Sequence, residues 1–163
     1  MRLVIFGNSG SGKTSFARRY AASLNLAHLD LDAIAWKSAG VRLELSESIL
    51  QMKTFTAAQD RWVIEGCYGE LIGEAATLAT ELVFLNPGVE ACQRNCRARP
   101  WEPHKYPNRE EQDGNLNALL EWVAQYPTRT DEFSLAAHRA IFDGFPGRKR
   151  ELKSNAQIDR INP

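Results

Sequence analysis

The eight residues Gly7-Asn8-Ser9-Gly10-Ser11-Gly12-Lys13-Thr14 match the pattern G-x-x-x-x-G-K-[ST] at every fixed position, and they decide the fold. The apolar run at residues 3–6 comes before them and is typical of a buried parallel strand. Apolar residues then recur at helical spacing, namely Phe16, Ala17, Tyr20, Ala21 and Leu24. A glycine-rich loop between a strand and a helix places backbone N–H groups and a helix N-terminus around an anion. The sequence therefore predicts a phosphate-binding loop.

This loop predicts a nucleoside triphosphate and a divalent cation as ligands. Lys13 is expected to reach the β- and γ-phosphates, and the hydroxyl of Thr14 to ligate Mg²⁺. ATP is expected rather than GTP because the chain has no Asn-Lys-x-Asp segment for guanine. We therefore predict ATP and Mg²⁺ as cofactors, with the nucleotide bound by Asn8, Ser9, Gly10, Ser11, Gly12, Lys13, Thr14 and Ser15.

Length and composition predict one domain, residues 1–163, because a chain of 163 residues buries about two thirds of its unfolded surface without staples. Twenty basic and twenty acidic side chains give a net charge of zero, so composition provides no argument for a nucleic-acid or membrane partner. No apolar stretch approaches the ~18 residues of a membrane span. Three cysteines without a C-x-x-C pair fit a reducing compartment, so we expect a cytoplasmic protein.

Strand-like and helix-like stretches alternate along the chain, which predicts an α/β fold with a parallel sheet. Further strands are expected at residues 27–32, 62–64 and 82–85 and within 149–158. Further helices are expected from an N-cap at Ser46, from about Val89 with Cys92 and Cys96 facing inward, from Leu116, and from Phe133 to near Gly144. Trp62 and Trp122 are both expected in the core.

Acidic residues close two of the predicted strands, and ligands in parallel sheets lie beyond such ends. Asp30 and Asp32 are two residues apart, so in extended geometry both project to one side. We expect Thr14, Asp30 and Glu65 to hold Mg²⁺, and Asp32 to orient a substrate hydroxyl or accept its proton. The alternatives are that Asp32 caps a helix starting at Ala33 and that Glu65 is a solvated strand-end acid.

The acceptor pocket is expected next to these acids. Gly66 would keep the backbone open to a ligand, and Tyr68 would point into the same crevice. Trp36 follows the paired acids and either walls the pocket or serves the structure. The predicted substrate residues are Asp32, Trp36, Gly66 and Tyr68.

Residues 94–109 form a basic, proline-rich segment that predicts a loop rather than a helix. Arg94, Arg97 and Arg99 are expected to converge on phosphates when such a loop closes. Lys105 adds to the charge, and His104 is expected at the surface. The alternatives are a solvated basic surface or a nucleic-acid site, and the second is disfavoured because only Trp101 and Tyr106 are available for base stacking.

The order of phosphate loop, Asp-x-Asp, strand-end Glu-Gly and Arg-x-Arg-Pro resembles the small P-loop kinases typified by shikimate kinase and adenylate kinase, over nearly the full length. Residues 28–32 and 62–66 are similar to segments of little-characterised bacterial adenylate- or shikimate-kinase-like proteins, also labelled topology modulators. The resemblance implies a three-layer P-loop NTPase fold, with a five-stranded parallel sheet in order 2-3-1-4-5, helices on both faces, and a lid at about 97–112.

Single positions carry this resemblance. Asp30 and Asp32 match the shikimate-kinase-like acid pair, Glu65-Gly66 stands where adenylate kinases carry Asp-Gly, and Arg99-Pro100 resembles the start of a shikimate kinase lid. The segment Gly66-Cys67-Tyr68-Gly69 is neither the glycine triplet of shikimate kinases nor the Asp-Gly-Phe-Pro-Arg of adenylate kinases. The resemblance therefore implies a kinase architecture without identifying the acceptor.

These patterns together favour an ATP-dependent phosphotransferase that moves the γ-phosphoryl group to a small hydroxylated or phosphorylated metabolite. The predicted catalytic residues are Lys13, Asp32, Arg94, Arg97 and Arg99. The alternative is a regulatory module that binds ATP, hydrolyses it slowly and acts through a macromolecular partner.

Overall fold

The structure is a computed structural model that describes residues 1–38, 40–103 and 106–161. Within these residues the strands are β1 (Arg2–Gly7), β2 (Ala27–Asp30), β3 (Trp36–Ser38), β4 (Val41–Arg42), β5 (Trp62–Gly66), β6 (Glu81–Leu85) and β7 (Arg148–Leu152). The helices are α1 (Lys13–Leu24), α2 (Asp32–Ala35), α3 (Leu45–Ala57), α4 (Gly69–Leu78), α5 (Val89–Arg97), α6 (Arg109–Gly114), α7 (Leu116–Ala124), α8 (Leu135–Gly144) and α9 (Asn155–Arg160). The predictions for His104 and Lys105 lie outside the described residues.

Five of the strands form one parallel sheet in the order β2-β5-β1-β6-β7. Counted among these five alone, the order is 2-3-1-4-5, as predicted. The register aligns Asp30 with Glu65, Phe6 with Gly66, and Gly7 with Leu85, so four strands end at one edge. This edge carries the phosphate loop because the loop continues β1. The remaining pair, β3 and β4, forms a small antiparallel hairpin that the sequence reading missed.

Alternate residues of β1 pack against opposite faces of the sheet, which gives three layers. Val4 and Phe6 lie in a cluster with Met52 of α3 and Leu71 of α4. Leu3 and Ile5 lie in the second cluster, formed with α1 and α9 by Phe16, Ala17, Tyr20 and Ile158. The near-continuous apolar strands follow from this burial on both faces. The predicted three-layer α/β fold is confirmed.

Three local predictions about the helices and the core were wrong. Strand β2 ends at Asp30, because Leu31 has helical backbone angles and Asp32 opens α2, so the extended geometry expected for both acids does not occur. Ser46 lies inside α3, which begins after Glu44 without a side-chain cap. Trp122 keeps 38% of its surface exposed, since α7 packs through Val123 and leaves the indole outside.

The segment predicted as a loop from residue 94 starts later than expected, because α5 continues to Arg97. Helix α4 was not predicted, although Leu71, Ile72 and Ala75 are apolar at helical spacing and all are buried. No helix in the described part of the chain has the length and apolar character needed to cross a membrane.

Candidate active site

A cavity of about 790 Å³ opens at the carboxyl edge of the sheet. The phosphate loop forms its floor, and the ends of β2 and β5 form one wall. The first turns of α1, helix α9 and residues 98–103 complete it. The cavity therefore lies where parallel α/β sheets bind ligands.

The phosphate loop has the backbone that an anion cradle needs. Gly10 and Gly12 have positive φ angles of 77° and 90°, which residues with a Cβ rarely adopt. The ammonium of Lys13 donates to the backbone oxygen of Asn8 at 2.8 Å, inside the loop. The side chain of Asn8 is buried and donates to the backbone oxygen of Val123 in α7 at 3.1 Å. The loop is thus preformed and fits nucleotide phosphates.

Helix α5 fixes the loop from below. A Cβ on Gly10 would lie 2.4 Å from the backbone oxygen of Cys92 and 2.6 Å from the sulfur of Cys96. Both cysteines are buried as predicted, and burial raises the pKa of the Cys92 thiol to about 11. The amide of Asn95 donates to the backbone oxygen of Gly10 at 2.8 Å and pairs with Asn155 of α9 at 2.9 Å. The sequence reading missed both asparagines, since no local pattern marks this contact.

The predicted acids Asp30, Asp32 and Glu65 all line the cavity. The backbone N–H of Asp32 donates to Oδ1 of Asp30 at 2.9 Å, a bond that holds the turn between β2 and α2. Glu65 is 1% exposed, and its Oε1 has no hydrogen-bond partner among the described residues. The nearest basic group is Nε2 of His28 at 3.8 Å.

This arrangement fits Mg²⁺. Thr14, Asp30 and Glu65 line the same cavity, and the buried Oε1 of Glu65 is an oxygen without a hydrogen bond. The described residues contain no group of three or more His, Cys, Asp or Glu side chains that could hold a metal. Mg²⁺ commonly takes one or two protein oxygens and fills its other positions with water and substrate phosphates.

Tyr68 connects the acids to the β3–β4 hairpin. Its hydroxyl donates to Oδ1 of Asp32 at 2.5 Å and accepts from Nε1 of Trp36 at 2.7 Å. Burial raises the pKa of Tyr68, so the phenol remains a neutral donor. Of the four predicted substrate residues, Asp32 and Gly66 line the cavity, whereas Tyr68 and Trp36 reach it only through this hydrogen-bond chain. Packing also explains the glycine at position 66, since a Cβ there would lie 2.8 Å from the side chain of Leu31.

The three predicted arginines do not converge. Arg99 lines the cavity and pairs with Glu102 at 3.2 Å. Arg94 pairs with Glu90 at 3.8 Å on the exposed face of α5, and Arg97 is exposed and does not line the cavity. The cause is the extension of α5, whose buried face carries the cysteines. Arg18 and Arg19 of α1 line the cavity instead. The sequence could have indicated them, because they lie in the helix that follows the phosphate loop.

A buried histidine supports the cavity wall at the end of β5. His138 is fully buried, and its Nε2 lies 2.9 Å from the backbone oxygen of Cys67, which can only accept. Its Nδ1 lies 2.7 Å from the hydroxyl of Tyr126. Desolvation lowers the pKa of His138 to about 4, so the ring is neutral, with the proton on Nε2. Segment 66–68 is thereby fastened to α8.

This burial predicts an acid-sensitive stability. The unfolded chain binds a proton on His138 near pH 6.5, whereas the folded chain does so near pH 4, so stability is lost as pH falls through this window. Between pH 7 and pH 4 this group is expected to lower the free energy of unfolding by about 3 kcal/mol. Urea unfolding from pH 7 to pH 4 should show a shallower loss for His138→Phe than for the unchanged protein. Equal slopes, or an NMR titration of the ring near pH 6.5, would contradict this.

Comparison with known proteins identifies solved structures that share the fold of this chain. No protein-family profile matches the chain, and no curated protein does. The chain is similar in structure to a shikimate kinase from Acinetobacter baumannii solved with shikimate, at 17% identity and a TM-score of 0.53, over 96% of this chain and 86% of that one.

Two further solved structures agree. An unliganded sugar kinase from Janibacter sp. has 13% identity and a TM-score of 0.53, over 97% of this chain and 90% of that one. A gluconokinase from Sinorhizobium meliloti has 17% identity and a TM-score of 0.57, over 98% and 92%. All three are small P-loop kinases. The chain therefore has the fold of the small P-loop kinases.

Proposed function

We propose that the protein is an ATP-dependent phosphotransferase acting on a small hydroxylated or phosphorylated metabolite. One observation carries the proposal: a single cavity is lined by Lys13 and Thr14 of the phosphate loop and by Asp30, Asp32 and Glu65. A protein that only bound a nucleotide would need the phosphate loop but not the three acids. Three acids facing the phosphates are expected where a hydroxyl must be held and a cation placed.

The residues have distinct proposed roles. Lys13 and Arg99 stabilise charge on the migrating phosphoryl group. The oxygen of the acceptor hydroxyl bonds to the γ-phosphorus, and Asp32 accepts the proton of that hydroxyl. The bond between the γ-phosphorus and the β–γ bridging oxygen breaks at the same time, which leaves ADP. Mg²⁺, held by Thr14, Asp30 and Glu65, would neutralise phosphate charge when bound.

The lid predicted at 97–112 remains a proposal, as does the treatment of residues 1–163 as one domain. Residues 98–103 already line the cavity. The side chain of Gln112 accepts from the backbone of Glu102 at 2.8 Å and donates to the oxygen of Pro100 at 3.0 Å, so α6 anchors this segment. Arg94 and Arg97 lie outside the cavity, and we assign the lid-arginine role to Arg99.

The test is whether a small molecule changes nucleotide turnover. Purified protein with Mg²⁺ and a non-hydrolysable ATP analogue is screened by thermal unfolding against hydroxy acids, sugar acids and nucleoside monophosphates. A true acceptor should raise the unfolding temperature beyond the analogue alone. The same compound, given with ATP, should accelerate ADP release and appear as a phosphorylated product. Slow ADP release that no acceptor accelerates would instead support the regulatory module.

A further inference from the structure

The peptide between Gly10 and Ser11 is held at both of its polar atoms. The carboxamide of Asn95 in α5 donates to the oxygen of Gly10 at 2.8 Å. The N–H of Ser11 donates to the backbone oxygen of Asn8 at 3.2 Å. Gly10 and Gly12 both have positive φ angles, and glycine moves readily between backbone conformations. These bonds therefore select one orientation for a peptide that the loop sequence leaves free.

Asn95 uses its N–H groups within the protein. An asparagine carboxamide has two N–H groups and one carbonyl oxygen. The nitrogen of Asn95 also donates to Oδ1 of Asn155 in α9 at 3.3 Å, and its own Oδ1 accepts from the nitrogen of Asn155 at 2.9 Å. Asn95 lines the cavity, but both of its N–H groups already face oxygens of the protein. This geometry suits an action through the loop rather than a direct bond to a phosphate.

Asn155 sets the direction in which the carboxamide of Asn95 faces. The nitrogen of Asn95 must face Gly10, because a carbonyl oxygen accepts hydrogen bonds and does not donate them. A carboxamide turned over would place its oxygen against the oxygen of Gly10. The two bonds between the carboxamides hold the plane of Asn95, so that its other N–H points at the loop.

Helix α9 is fastened next to the site at both of its ends. Asn155 is its first residue. Near the other end, the guanidinium of Arg19 donates to the backbone oxygen of Ile158 at 2.6 Å and to that of Asp159 at 3.4 Å. Arg19 belongs to α1, which continues the phosphate loop, and Ile158 packs in one cluster with Phe16 of α1. Helix α9 therefore contacts both helices that adjoin the loop, α5 and α1.

We propose that Asn95 is a positioning residue for nucleotide binding, and that Asn155 makes this positioning depend on α9. A loop that is ordered before its ligand arrives loses less conformational entropy on binding, so the ligand binds more tightly. Removal of the Asn95 side chain frees the peptide between Gly10 and Ser11, which lowers the affinity for the nucleotide and not for the acceptor. The inference rests on the proposed function in taking a nucleotide as the ligand of the loop.

Gln93 provides a matched control in the same helix. It is half-buried like Asn95, and its carboxamide also donates to a backbone oxygen, that of Leu120 in α7 at 3.1 Å. Titration calorimetry with Mg²⁺ and the non-hydrolysable ATP analogue should show binding about three- to tenfold weaker in Asn95→Ala and unchanged in Gln93→Ala. Equal affinities in these two variants overturn the inference.

Thermal unfolding checks that each variant folds. Asn95→Ser, whose side chain is too short to reach the oxygen of Gly10, keeps the test valid if Asn95→Ala does not fold. The serine variant should lose the same affinity for the analogue, because it also lacks the bond to the loop. Full affinity in Asn95→Ser would count against the positioning role.

A double variant tests the dependence on α9. Asn155 also lines the cavity, so a direct contact with the nucleotide has to be separated from an action through Asn95. Asn155→Ala should weaken analogue binding about threefold in the unchanged protein and cause no further loss in Asn95→Ala. An equal loss in both backgrounds, or no loss in either, rejects the dependence on α9.

The nucleotide-free loop gives a readout that separates this inference from the proposed function. Hydrogen exchange of the Ser11 amide, followed by NMR, should be faster in Asn95→Ala and unchanged in Gln93→Ala. Faster exchange in a protein that binds no analogue would retain the ordering of the loop and reject the kinase. Acceptor-dependent ADP release with the same KM for ATP in Asn95→Ala would retain the kinase and reject the positioning role. If both hold, Asn95→Ala should raise the KM for ATP about three- to tenfold and leave the KM for the acceptor unchanged.

Discussion

Lys13→Ala is expected to lower acceptor-dependent ADP release about 10²–10³-fold, the loss typical of removing one preorganised charge from a developing anion. Lys13 is the first residue of α1, and its ammonium lies 2.8 Å from the backbone oxygen of Asn8. Within the described residues this ammonium bonds to the loop itself and to no carboxylate, so we expect the fold to tolerate its loss. Activity should fall while the unfolding temperature of the nucleotide-free protein changes little.

Lys53→Ala provides the matched control. Lys53 lies on the exposed face of α3 and pairs with Glu74 at 3.7 Å, a surface contact of small energetic value. ADP release by this variant should equal that of the unchanged protein. The measurement is coupled ADP release at saturating Mg²⁺ and ATP, with the acceptor found in the thermal screen. Equal turnover by Lys13→Ala and Lys53→Ala would reject the catalytic use of the loop.

Gly10→Ala is expected to abolish nucleotide binding and to destabilise the fold. A methyl group there would lie 2.4 Å from the oxygen of Cys92 and 2.6 Å from the sulfur of Cys96, and the backbone has a φ of 77°. The left-handed conformation and the overpacking together cost about 2–5 kcal/mol. Because the carbonyl belongs to α5, relief requires the loop to move away from the helix. The N–H groups that face the phosphates would move with it.

Gly73→Ala is the control for this substitution. Gly73 lies within α4, and a Cβ there would meet no atom within 4 Å. Alanine in a helix interior gains about 1 kcal/mol over glycine, so this variant should unfold at a higher urea concentration. Titration calorimetry with the non-hydrolysable ATP analogue gives the affinities. Unchanged affinity and stability in Gly10→Ala would show that α5 does not pack tightly enough against the loop to exclude a methyl group at position 10.

Much of the fold could be predicted because its signals are local. The run at residues 3–6, the loop motif and the leucine spacing from Leu116 each lie within one element, and each element appears as expected. The fifth strand was found despite its charge, since β7 needs only one buried leucine, Leu152, at the sheet edge. Errors occurred where tertiary contacts set the boundary, as at Asp32, where Leu31 packs under Gly66 and turns the chain into α2.

The site was predicted in part for the same reason. Strand-end acids follow from topology, so Asp30, Asp32 and Glu65 could be placed together from the sequence. The contacts of Arg42 with the rings of Trp36, Tyr68 and Phe133 could not be predicted, because these residues are far apart in the sequence. Arg94 and Arg97 lie on the exposed face of α5 and do not line the cavity, and composition alone does not show which face of a helix points toward a site.

The glycines of the phosphate loop fall into two kinds. A Cβ on Gly7 would lie 2.1 Å from the oxygen of Leu85, and Gly10 is confined by α5, whereas Gly12 has open space around it and is constrained by its φ of 90°. Gly7 and Gly10 therefore belong to the architecture as much as to the ligand. A descendant of this chain that no longer bound any ligand would still need both glycines in order to fold. We expect Lys13, whose ammonium contacts the loop itself, to be the position that changes first after such a loss.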